Sequence, residues 1–430
     1  MYQFTRNITL LIALFLGGNY SFSQNFSMKG KEFIFPNLTT FYITTESHAT
    51  TIIFKDFDSG DSDTILVSAD TSIVFGGPLT GSYSTFNSVP SITPHKNIII
   101  TSDFPIFLQI KRFVSIYPVI PTDYATDYQT ITSHRTKNTS STIAIPTYII
   151  ITSIHDSNVI DITPSQDLSM LIGWLANNTY TVTLNRGESI TLSAKECVVP
   201  TNCLLLNKNQ DLSGTIIKSR DICKKFNSLN YTFGKISGEI NLPPQTTSAH
   251  MFEMQMPDKY VKNTYYVLPT KNNILGDLFK IYSHKNNTHV FINNAYATTL
   301  AKNETFDTLL NIPSKITSNH TIFLSHYYRT SSSPTDTTSP ELIIVYPDEY
   351  RAKKFKINDL FPVGGIKRYL KIYTETSNIS SFTLDGLPVS STQFSPFAAN
   401  PAMSFAYIKF SAGYHNLEST ATFQSYAEYI

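Results

Sequence analysis

The sequence predicts an all-β fold of tandem β-sandwich-like modules with about four internal repeats. The main observation is a phrase that returns along the chain, IIITSDFPIFLQI at residues 98–110 and SKITSNHTIFLSHY at 314–327, with related copies at 214–226 and 416–429. In each copy, an apolar run leads to a serine and turn-forming residues and then to a second apolar run, a pattern typical of a hairpin. Helical periodicity is nearly absent, which agrees with an all-β chain.

The repeated serines give the spacing of the modules. Aligned on the turn, the copies share Ser102, Ser219, Ser318 and Ser419, which lie 117, 99 and 101 residues apart. Upstream of each serine, a polar tip precedes alternating apolar residues, in SHATTIIF, HDSNVIDI, KNNTHVFI and SNISSFTL. Two landmarks in constant order predict four modules of a size usual for small all-β units. We expect modules at residues 24–112, 113–233, 234–335 and 336–430.

A β-propeller-like closed arrangement is the alternative, because four repeats around an axis also bury their faces. The first module argues against it, since seven candidate strands are too many for one propeller blade. These candidates lie near residues 32–35, 41–45, 50–55, 64–68, 72–75, 97–101 and 106–111. We therefore prefer stacked sandwiches.

The N-terminus predicts secretion. Arg6 precedes the apolar run Leu10 to Leu16, and small residues follow at Ser21 and Ser23, so residues 1–23 have the pattern of a signal peptide. This run is too short to span a bilayer, and no later run reaches about 18 apolar residues. We expect a secreted chain without a transmembrane anchor. A net charge of +1 gives no field to attract nucleic acid.

Secretion makes the Asn-x-Ser/Thr tripeptides candidate N-glycosylation sites. Because only 15% of the residues are charged, glycans and uncharged polar side chains are expected to keep the chain soluble. The candidate sites are Asn25, Asn37, Asn138, Asn177, Asn230, Asn286, Asn303, Asn319 and Asn378.

The chain has three cysteines, an odd number for a secreted protein. Cys197 and Cys203 flank a short loop that a disulfide could close, which would leave Cys223 alone. Pairing of either one with Cys223 is the alternative. One thiol therefore remains buried, free or available to another chain.

The sequence contains none of the common catalytic or phosphate-binding motifs, and we expect no enzyme activity and no cofactor. The acidic stretch DFDSGDSDT places Asp56, Asp58, Asp61 and Asp63 close together, and their oxygens could bind calcium. The stretch lacks the ordered EF-hand pattern and lies where a hairpin loop is needed. We therefore expect a solvated turn.

Contacts with a partner are expected from aromatic side chains in polar loops, with little dependence on salt because the chain is almost neutral. The alternative is that Trp174 and Tyr327 are core residues, as aromatics beside apolar neighbours usually are. The candidates are Tyr124, Tyr128, Trp174, Tyr327, Tyr328 and Arg329.

Four stretches of the chain resemble the N-terminal domain of the IgGFc-binding protein family. They are NRGESITL at 185–192, DLSGTIIKSRDI at 211–222, HMFEMQMPDKYVKNTYYVLPT at 250–270 and SPELIIVYPDEYRAKKFKI at 339–357. His250, Glu253, Gln255 and Pro257 stand where the family has its His-Leu-x-Glu-Gln-Leu-Pro segment. The resemblance implies a secreted, mucus- or matrix-type glycoprotein module without enzyme activity. Relatives tend to carry a cysteine just before this segment, where this chain has Ser248 and Ala249.

We expect a secreted binding or adhesion module that interacts with extracellular glycoproteins, glycans or mucus. The alternative is a structural component of a coat, matrix or mucus that has no discrete ligand pocket. A glycan-active enzyme is the least favoured interpretation, because no pair of carboxylates is held at a fixed separation by the sequence pattern.

Overall fold

The computed structural model describes residues 28–36, 40–57, 60–76, 90–112, 115–134, 136–137, 144–195, 211–236, 249–328, 341–359 and 367–429. These residues form antiparallel sheets, which confirms the all-β class. Short 3₁₀ turns interrupt them at Thr122–Tyr124, Asp258–Tyr260, Thr376–Ser381 and Ser391–Gln393. The predicted signal peptide, residues 1–23, lies outside the described residues.

The first unit is a seven-stranded sheet built around one long strand, β7. The strand order is β4-β3-β7-β2-β5, and β1 and β8 also pair with β7. Phenylalanine and isoleucine side chains from the alternate positions of β1, β3 and β7 fill its core. The strands are β1 Lys29–Phe35, β2 Thr40–Thr45, β3 Thr50–Asp56, β4 Ser62–Val67, β5 Ser72–Gly76, β7 Ile98–Arg112 and β8 Ser115–Pro118, with β6 at Ser91–Lys96.

The second unit is a sandwich of two sheets around a core of isoleucine and leucine. One sheet has the order β11-β10-β17-β12-β15-β6, with β18 paired to β17, and the other has the order β14-β13-β16-β9. Its strands are β9 Tyr128–Thr130, β10 Thr136–Lys137, β11 Ala144–Ile145, β12 Tyr148–Ser153, β13 Asn158–Thr163, β14 Tyr180–Leu184, β15 Glu188–Ser193, β16 Ile216–Ser219, β17 Phe226–Ile236 and β18 Ala249–Met254.

The third unit is a sandwich of two four-stranded sheets. The strand orders are β19-β24-β21-β22 and β23-β20-β25-β26, and side chains such as Phe279, Val290 and Ile316 pack between them. Its strands are β19 Thr264–Val267, β20 Asp277–Ser283, β21 Thr288–Ile292, β22 Ala295–Leu300, β23 Thr305–Leu310, β24 Ser314–Ser318, β25 Ile322–Tyr328 and β26 Glu341–Ile344.

The fourth unit is a seven-stranded sheet built around the long strand β33. The order is β30-β29-β33-β28-β32-β31, and β27 also pairs with β33. Its strands are β27 Ala352–Asp359, β28 Arg368–Glu375, β29 Thr383–Leu384, β30 Leu387–Pro388, β31 Phe394–Phe397, β32 Asn400–Lys409 and β33 Gly413–Tyr429. The described strands thus form sandwiches and bent sheets and show no propeller.

The repeated phrase is a crossover between two sheets or two halves of a bent sheet, so the predicted hairpin is wrong. In a hairpin the two arms pair with each other, whereas here both arms pair with other strands and not with each other. In the third unit, Ser318 lies opposite Val290 on β21, and Ile322 then lies opposite Ser283 on β20. In the first and fourth units the crossover is so shallow that β7 and β33 run through it without a break.

The four crossovers occupy equivalent positions in their units. In the first three units the serine is the last residue paired before the crossover, with Ser102 opposite Ile52, Ser219 opposite Ile160 and Ser318 opposite Val290. In the fourth unit the last pair before the crossover comes one residue earlier, between Glu418 and Thr383. In each unit, the strand segment that follows the crossover begins opposite a fully buried serine or threonine. These residues are Thr45, Ser153, Ser283 and Thr374.

Sheets extend across the predicted module boundaries, which themselves stay a prediction. After residue 112, β8 pairs with β7 of the first unit, and after residue 233, β18 pairs with β17 of the second. In the opposite direction, β6 joins the second unit by pairing with β15. A strand from the range of the first predicted module is therefore part of a sheet of the second unit.

Candidate functional site

Three of the predicted contact tyrosines are buried, so the predicted exposure of Tyr124 and Tyr328 is wrong, whereas Tyr327 is a core residue, as the alternative expected. Tyr124, Tyr327 and Tyr328 are only 9%, 0% and 5% exposed. Tyr124 packs edge-on against Tyr260 at 5.8 Å, and Tyr327 packs against His134 at 4.7 Å. The physical reason is that these tyrosines lie where neighbouring units meet, so the surface that a single sandwich would expose is covered by the next.

The other aromatic candidates have different surroundings. Tyr128 lies on the edge strand β9 and is 39% exposed. Trp174 is half-buried and stacks on Tyr180 with the ring centroids 4.5 Å apart. Arg329 lies outside the described residues. Among the predicted contact residues that the structure describes, Tyr128 and Trp174 are therefore the two with side chains open to solvent.

The described residues of the acidic stretch lie at the end of β3, between β3 and β4, and at the start of β4. Asp56 is the buried last residue of β3, Asp61 and Asp63 are exposed, and Asp58 lies outside the described residues. Among the described residues, no group of three or more histidine, cysteine or acidic side chains is arranged to hold a metal ion.

One predicted glycosylation site is buried. Asn230 is 3% exposed on β17 and its Nδ2 donates to the carbonyl of Thr132, so a glycan on Asn230 is incompatible with this fold. Asn319 is exposed, but its Oδ1 accepts from the His289 N–H at 2.8 Å. Asn177, Asn286 and Asn303 are exposed and Asn378 is half-buried.

Several predicted positions fall outside the described residues. They are Asn25, Asn37, Asn138, Cys197 and Cys203. Cys223 is an exposed free thiol in the crossover of the second unit.

An exposed aromatic surface lies on the β21–β22 hairpin of the third unit. We call it the aromatic face and define it as His289, Phe291, Tyr296 and Thr299. The hairpin turns at Asn293 and Asn294, whose φ angles of 52° and 66° suit the tight turn that matches strand twist. The pairing places His289 opposite Thr299 and Phe291 opposite Tyr296, so all four side chains lie on the solvent side of the sheet.

The aromatic face combines a ring with a chain of hydrogen bonds. Tyr296 is 61% exposed and contacts Phe291 edge-on with centroids 6.0 Å apart. The Tyr296 hydroxyl is 2.8 Å from Thr299 Oγ1, which is 2.7 Å from His289 Nδ1. An apolar ring edged by orientable hydroxyl and imidazole groups can bind a ligand that has both C–H and O–H surfaces. Sequence reasoning missed it, although the alternation in HVFINNAYATT contains the signal.

The segment that resembles the family motif joins the second and third units. Gln255 Oε1 accepts from the N–H and the hydroxyl of Thr132, at 3.0 and 2.9 Å. Asp258 Oδ1 accepts from the Thr130 N–H at 2.8 Å and from Gln129 Nε2 at 2.9 Å. Gln255 therefore ties the end of β18 to the segment after β9 within the second unit, and Asp258, directly after the motif residue Pro257, anchors the start of the third unit to the second.

Burial changes the charge states at this joint. Removal from water raises the pKa of Asp258 to about 7 and lowers the pKa of the neighbouring His284 to about 4. Nearby, Lys280 donates to Asp211, whose carboxylate also accepts from the hydroxyls of Ser133 and Ser213. Burial by itself would raise the pKa of Asp211, but Lys280, together with His134 and the Ser213 hydroxyl, outweighs it and holds the pKa at about 2.

A second joint, between the third and fourth units, is the contact of Lys371 with Tyr328, and Lys371 also pairs with Glu428 of its own unit. Lys371 Nζ lies 2.7 Å from Glu428 Oε1, with both side chains at most 2% exposed, and 4.3 Å from the ring centroid of Tyr328. In the third unit, His326 Nε2 contacts Asp277 Oδ2 at 2.8 Å. Burial lowers the pKa of His326, so the neutral imidazole donates to the Asp277 carboxylate at neutral pH.

Comparison with known proteins identifies the family. The family model described as IgGFc binding protein matches residues 115–427, which span the second, third and fourth units. The chain belongs to this family. Membership indicates an extracellular binding-type domain of a family that is generally non-enzymatic. No curated protein sequence matches the chain, and no solved structure does. The described residues include no helix with the length and apolar character needed to cross a membrane.

Proposed function

We propose that this member of the IgGFc binding protein family is a secreted, N-glycosylated, non-enzymatic binding or adhesion module that contacts extracellular glycoproteins or mucus glycans through its aromatic face. The observation that carries the proposal is Tyr296, a ring 61% exposed on a rigid hairpin, with its hydroxyl held beside Thr299. The family assignment supports an extracellular partner.

The chemistry of the aromatic face suits a neutral sugar. One side of a pyranose ring is a C–H surface that stacks on an aromatic ring, while its hydroxyl groups exchange hydrogen bonds with threonine and histidine. The two-residue turn fixes the hairpin before binding, so little conformational entropy is lost on contact. None of the four side chains is a permanent ion, and screening by salt therefore has little effect on the affinity.

The glycans carried by the module are proposed at exposed turns. Asn286 and Asn303 lie in neighbouring turns of the third unit, because the Asn286 Oδ1 accepts from the N–H of Lys302 at 2.8 Å. Both turns face solvent, where a glycan does not enter a core. Asn378 follows β28 in the fourth unit.

The test replaces Tyr296 with alanine and measures binding to immobilised mucin glycoproteins and to a glycan array. We expect Tyr296→Ala to weaken binding about tenfold or more, as the loss of a central aromatic contact does. Leu387→Ala is the control, since it removes a large apolar side chain that is 72% exposed in a different unit. We expect the control to change binding by less than about twofold.

Salt gives a second measurement on the same proteins. Between about 50 and 500 mM salt, we expect the affinity to fall by less than about tenfold. Normal binding by Tyr296→Ala, or a steeper fall with salt, would move the contact away from the aromatic face. If the folded protein binds no glycoprotein or glycan, the role of a structural coat or matrix component is favoured instead.

A further inference from the structure

The second unit ends in an edge strand that lacks the usual protection. In the order β14-β13-β16-β9, no described strand pairs with the outer side of β14. The strand reads YTVTL and pairs with β13 from Leu184 to Tyr180 without a register shift. Natural edge strands are usually blocked by lysine, proline or a bulge, because open backbone groups can pair with another chain. β14 carries none of these features.

An apolar loop lies directly before this edge. We define the apolar loop as residues 169–178, in which Met170, Leu171 and Leu175 are 77%, 70% and 55% exposed. No charged residue occurs between Asp167 and Arg186. Three large aliphatic side chains exposed in one short loop indicate an interaction surface, since single exposed apolar residues are ordinary but groups of them are not.

The apolar loop is fixed to the edge strand by hydrogen bonds. The Leu175 N–H donates to the Tyr180 hydroxyl at 2.8 Å, and the Leu168 N–H donates to the Trp174 carbonyl at 2.9 Å. The Trp174 ring lies parallel to the Tyr180 ring, with only 2° between their planes. The loop and β14 therefore present one surface whose shape is set before any partner arrives.

The core behind this surface is not fully covered. Ile172, Trp174 and Val182 pack against the second core, yet each stays half-buried. One further strand beside β14 would cover Val182 and Trp174 and would use the open backbone groups at the same time.

We propose that this further strand is β14 of a second copy of the chain, paired antiparallel across a two-fold axis. With the axis at Val182, Thr181 lies opposite Thr183 of the partner and Tyr180 lies opposite Leu184 of the partner. Threonine then faces threonine and apolar side chains face apolar side chains, with no charged residue on either strand. Antiparallel pairing also brings each apolar loop beside the Leu184 end of the other strand. The two four-stranded sheets become one sheet of eight strands.

A second copy fits better than a peptide with charged side chains, because neither the strand nor its loop contains a charged residue. The charged groups that touch them already have partners: Asp161 and Arg220 bond each other beside Thr181, and Asp167 accepts from the Ala176 N–H. The proposal is independent of the aromatic face, which lies on a different unit. Failure of one therefore leaves the other unaffected.

The test is the molar mass of the purified chain by light scattering during size-exclusion chromatography, over a range of concentrations. We expect twice the mass of one chain for the wild-type protein. Thr183 is exposed, so Thr183→Lys leaves the monomer fold intact while placing a charge at the pairing edge, and we expect a monomer. Thr64→Lys is the matched control, an exposed threonine on the edge strand β4, and we expect it to remain a dimer.

Substitutions in the apolar loop give a second test of the dimer. Replacing Met170 and Leu171 together with serine should raise the dissociation constant of the dimer at least about tenfold, because their apolar surface is no longer buried. A monomeric wild-type chain, or a Thr183→Lys variant that stays dimeric, overturns the proposal. So does a glycan on Asn177 of the secreted protein, since it would cover the loop. Loop-dependent binding of a monomeric chain to phosphatidylcholine vesicles would assign the loop to a lipid surface instead.

Discussion

Asp258 shows how one side chain joins two units. Its carboxyl group receives hydrogen bonds from Gln129 and Thr130 of the second unit, although it belongs to the 3₁₀ turn that begins the third. His284 lies 3.7 Å away, but its pKa of about 4 leaves it neutral at pH 7, so it supplies no compensating charge. Burial then decides the charge state of Asp258.

Stability should therefore depend on pH through Asp258. The pKa rises from 3.8 to about 7 on folding, so the folded state keeps a proton that the unfolded state loses between these values. Protonation of Asp258 therefore stabilises the folded state at low pH, and this stabilisation is lost as the pH rises to about 7. The side-chain amide introduced by Asp258→Asn keeps an acceptor for the N–H groups and a donor for the Thr130 hydroxyl but cannot ionise. The variant's free energy of unfolding relative to wild type should rise between about pH 4 and 7, by on the order of 4 kcal/mol at most.

The measurement is urea unfolding of both proteins at several pH values from 4 to 7.5. A difference between variant and wild type that stays constant over this range would show that Asp258 is ionised in the folded protein throughout.

At the scale of the element, the crossover is the repeated unit of construction. In three copies, the side chain of the serine before the bend forms a hydrogen bond with the backbone of the residue two positions later. Ser102 Oγ donates to the Phe104 carbonyl and Ser318 Oγ to the His320 carbonyl, while Ser419 Oγ accepts from the Ala421 N–H. This local bond satisfies a backbone group where the chain leaves one sheet before it joins the next.

The second unit provides a matched control for this role. Ser318→Ala should destabilise the protein by about 1 kcal/mol, because it removes the 2.5 Å bond from a mostly buried hydroxyl to the His320 carbonyl. Ser219 occupies the equivalent position, but its hydroxyl is buried without a hydrogen-bond partner among the described residues. Ser219→Ala should therefore be neutral or slightly stabilising. Chemical unfolding distinguishes the pair, and equal losses would contradict the assigned role of the Ser318 bond.

At the scale of the whole molecule, polar contacts and apolar clusters hold the units together. The joint between the third and fourth units combines Lys371, whose ammonium group lies over the Tyr328 ring, with a cluster that contains Tyr266, Tyr373 and Phe397. Within the fourth unit, Lys371 also pairs with the buried Glu428. Burial raises the pKa of Glu428 even though Lys371 lies beside it. The pair is therefore costly to break from one side, because the remaining carboxylate would be buried without its cation.

Lys371→Met should show this cost and its dependence on pH. At pH 7 we expect a loss of about 3 to 5 kcal/mol in the free energy of unfolding, with early release of the fourth unit in limited proteolysis. At pH 5 the loss should be smaller, since Glu428 then takes up a proton more easily and the buried charge disappears. The double variant Lys371→Met/Glu428→Gln should recover part of the loss at pH 7. An equal loss at both pH values would mean that packing, and not charge, dominates the joint.

The sequence by itself determined the all-β class, the repeated order of landmarks and the family. These follow from alternation of apolar residues and from local turn chemistry, which act between residues close in the chain. Local chemistry cannot reveal pairing partners, so the phrase around Ser102 indicated a hairpin where the structure has a crossover. Both forms need the same strands and the same bend.

Only the tertiary structure decided which aromatic residues meet solvent. In an isolated sandwich, the side chain of Tyr327 on β25 would be partly exposed, but contact with His134 of the second unit buries it. Tyr296 stands in an equally polar stretch and stays exposed, because its side of the β21–β22 hairpin faces solvent. Burial depends on packing between residues distant in sequence, and that packing is set by the joints between units.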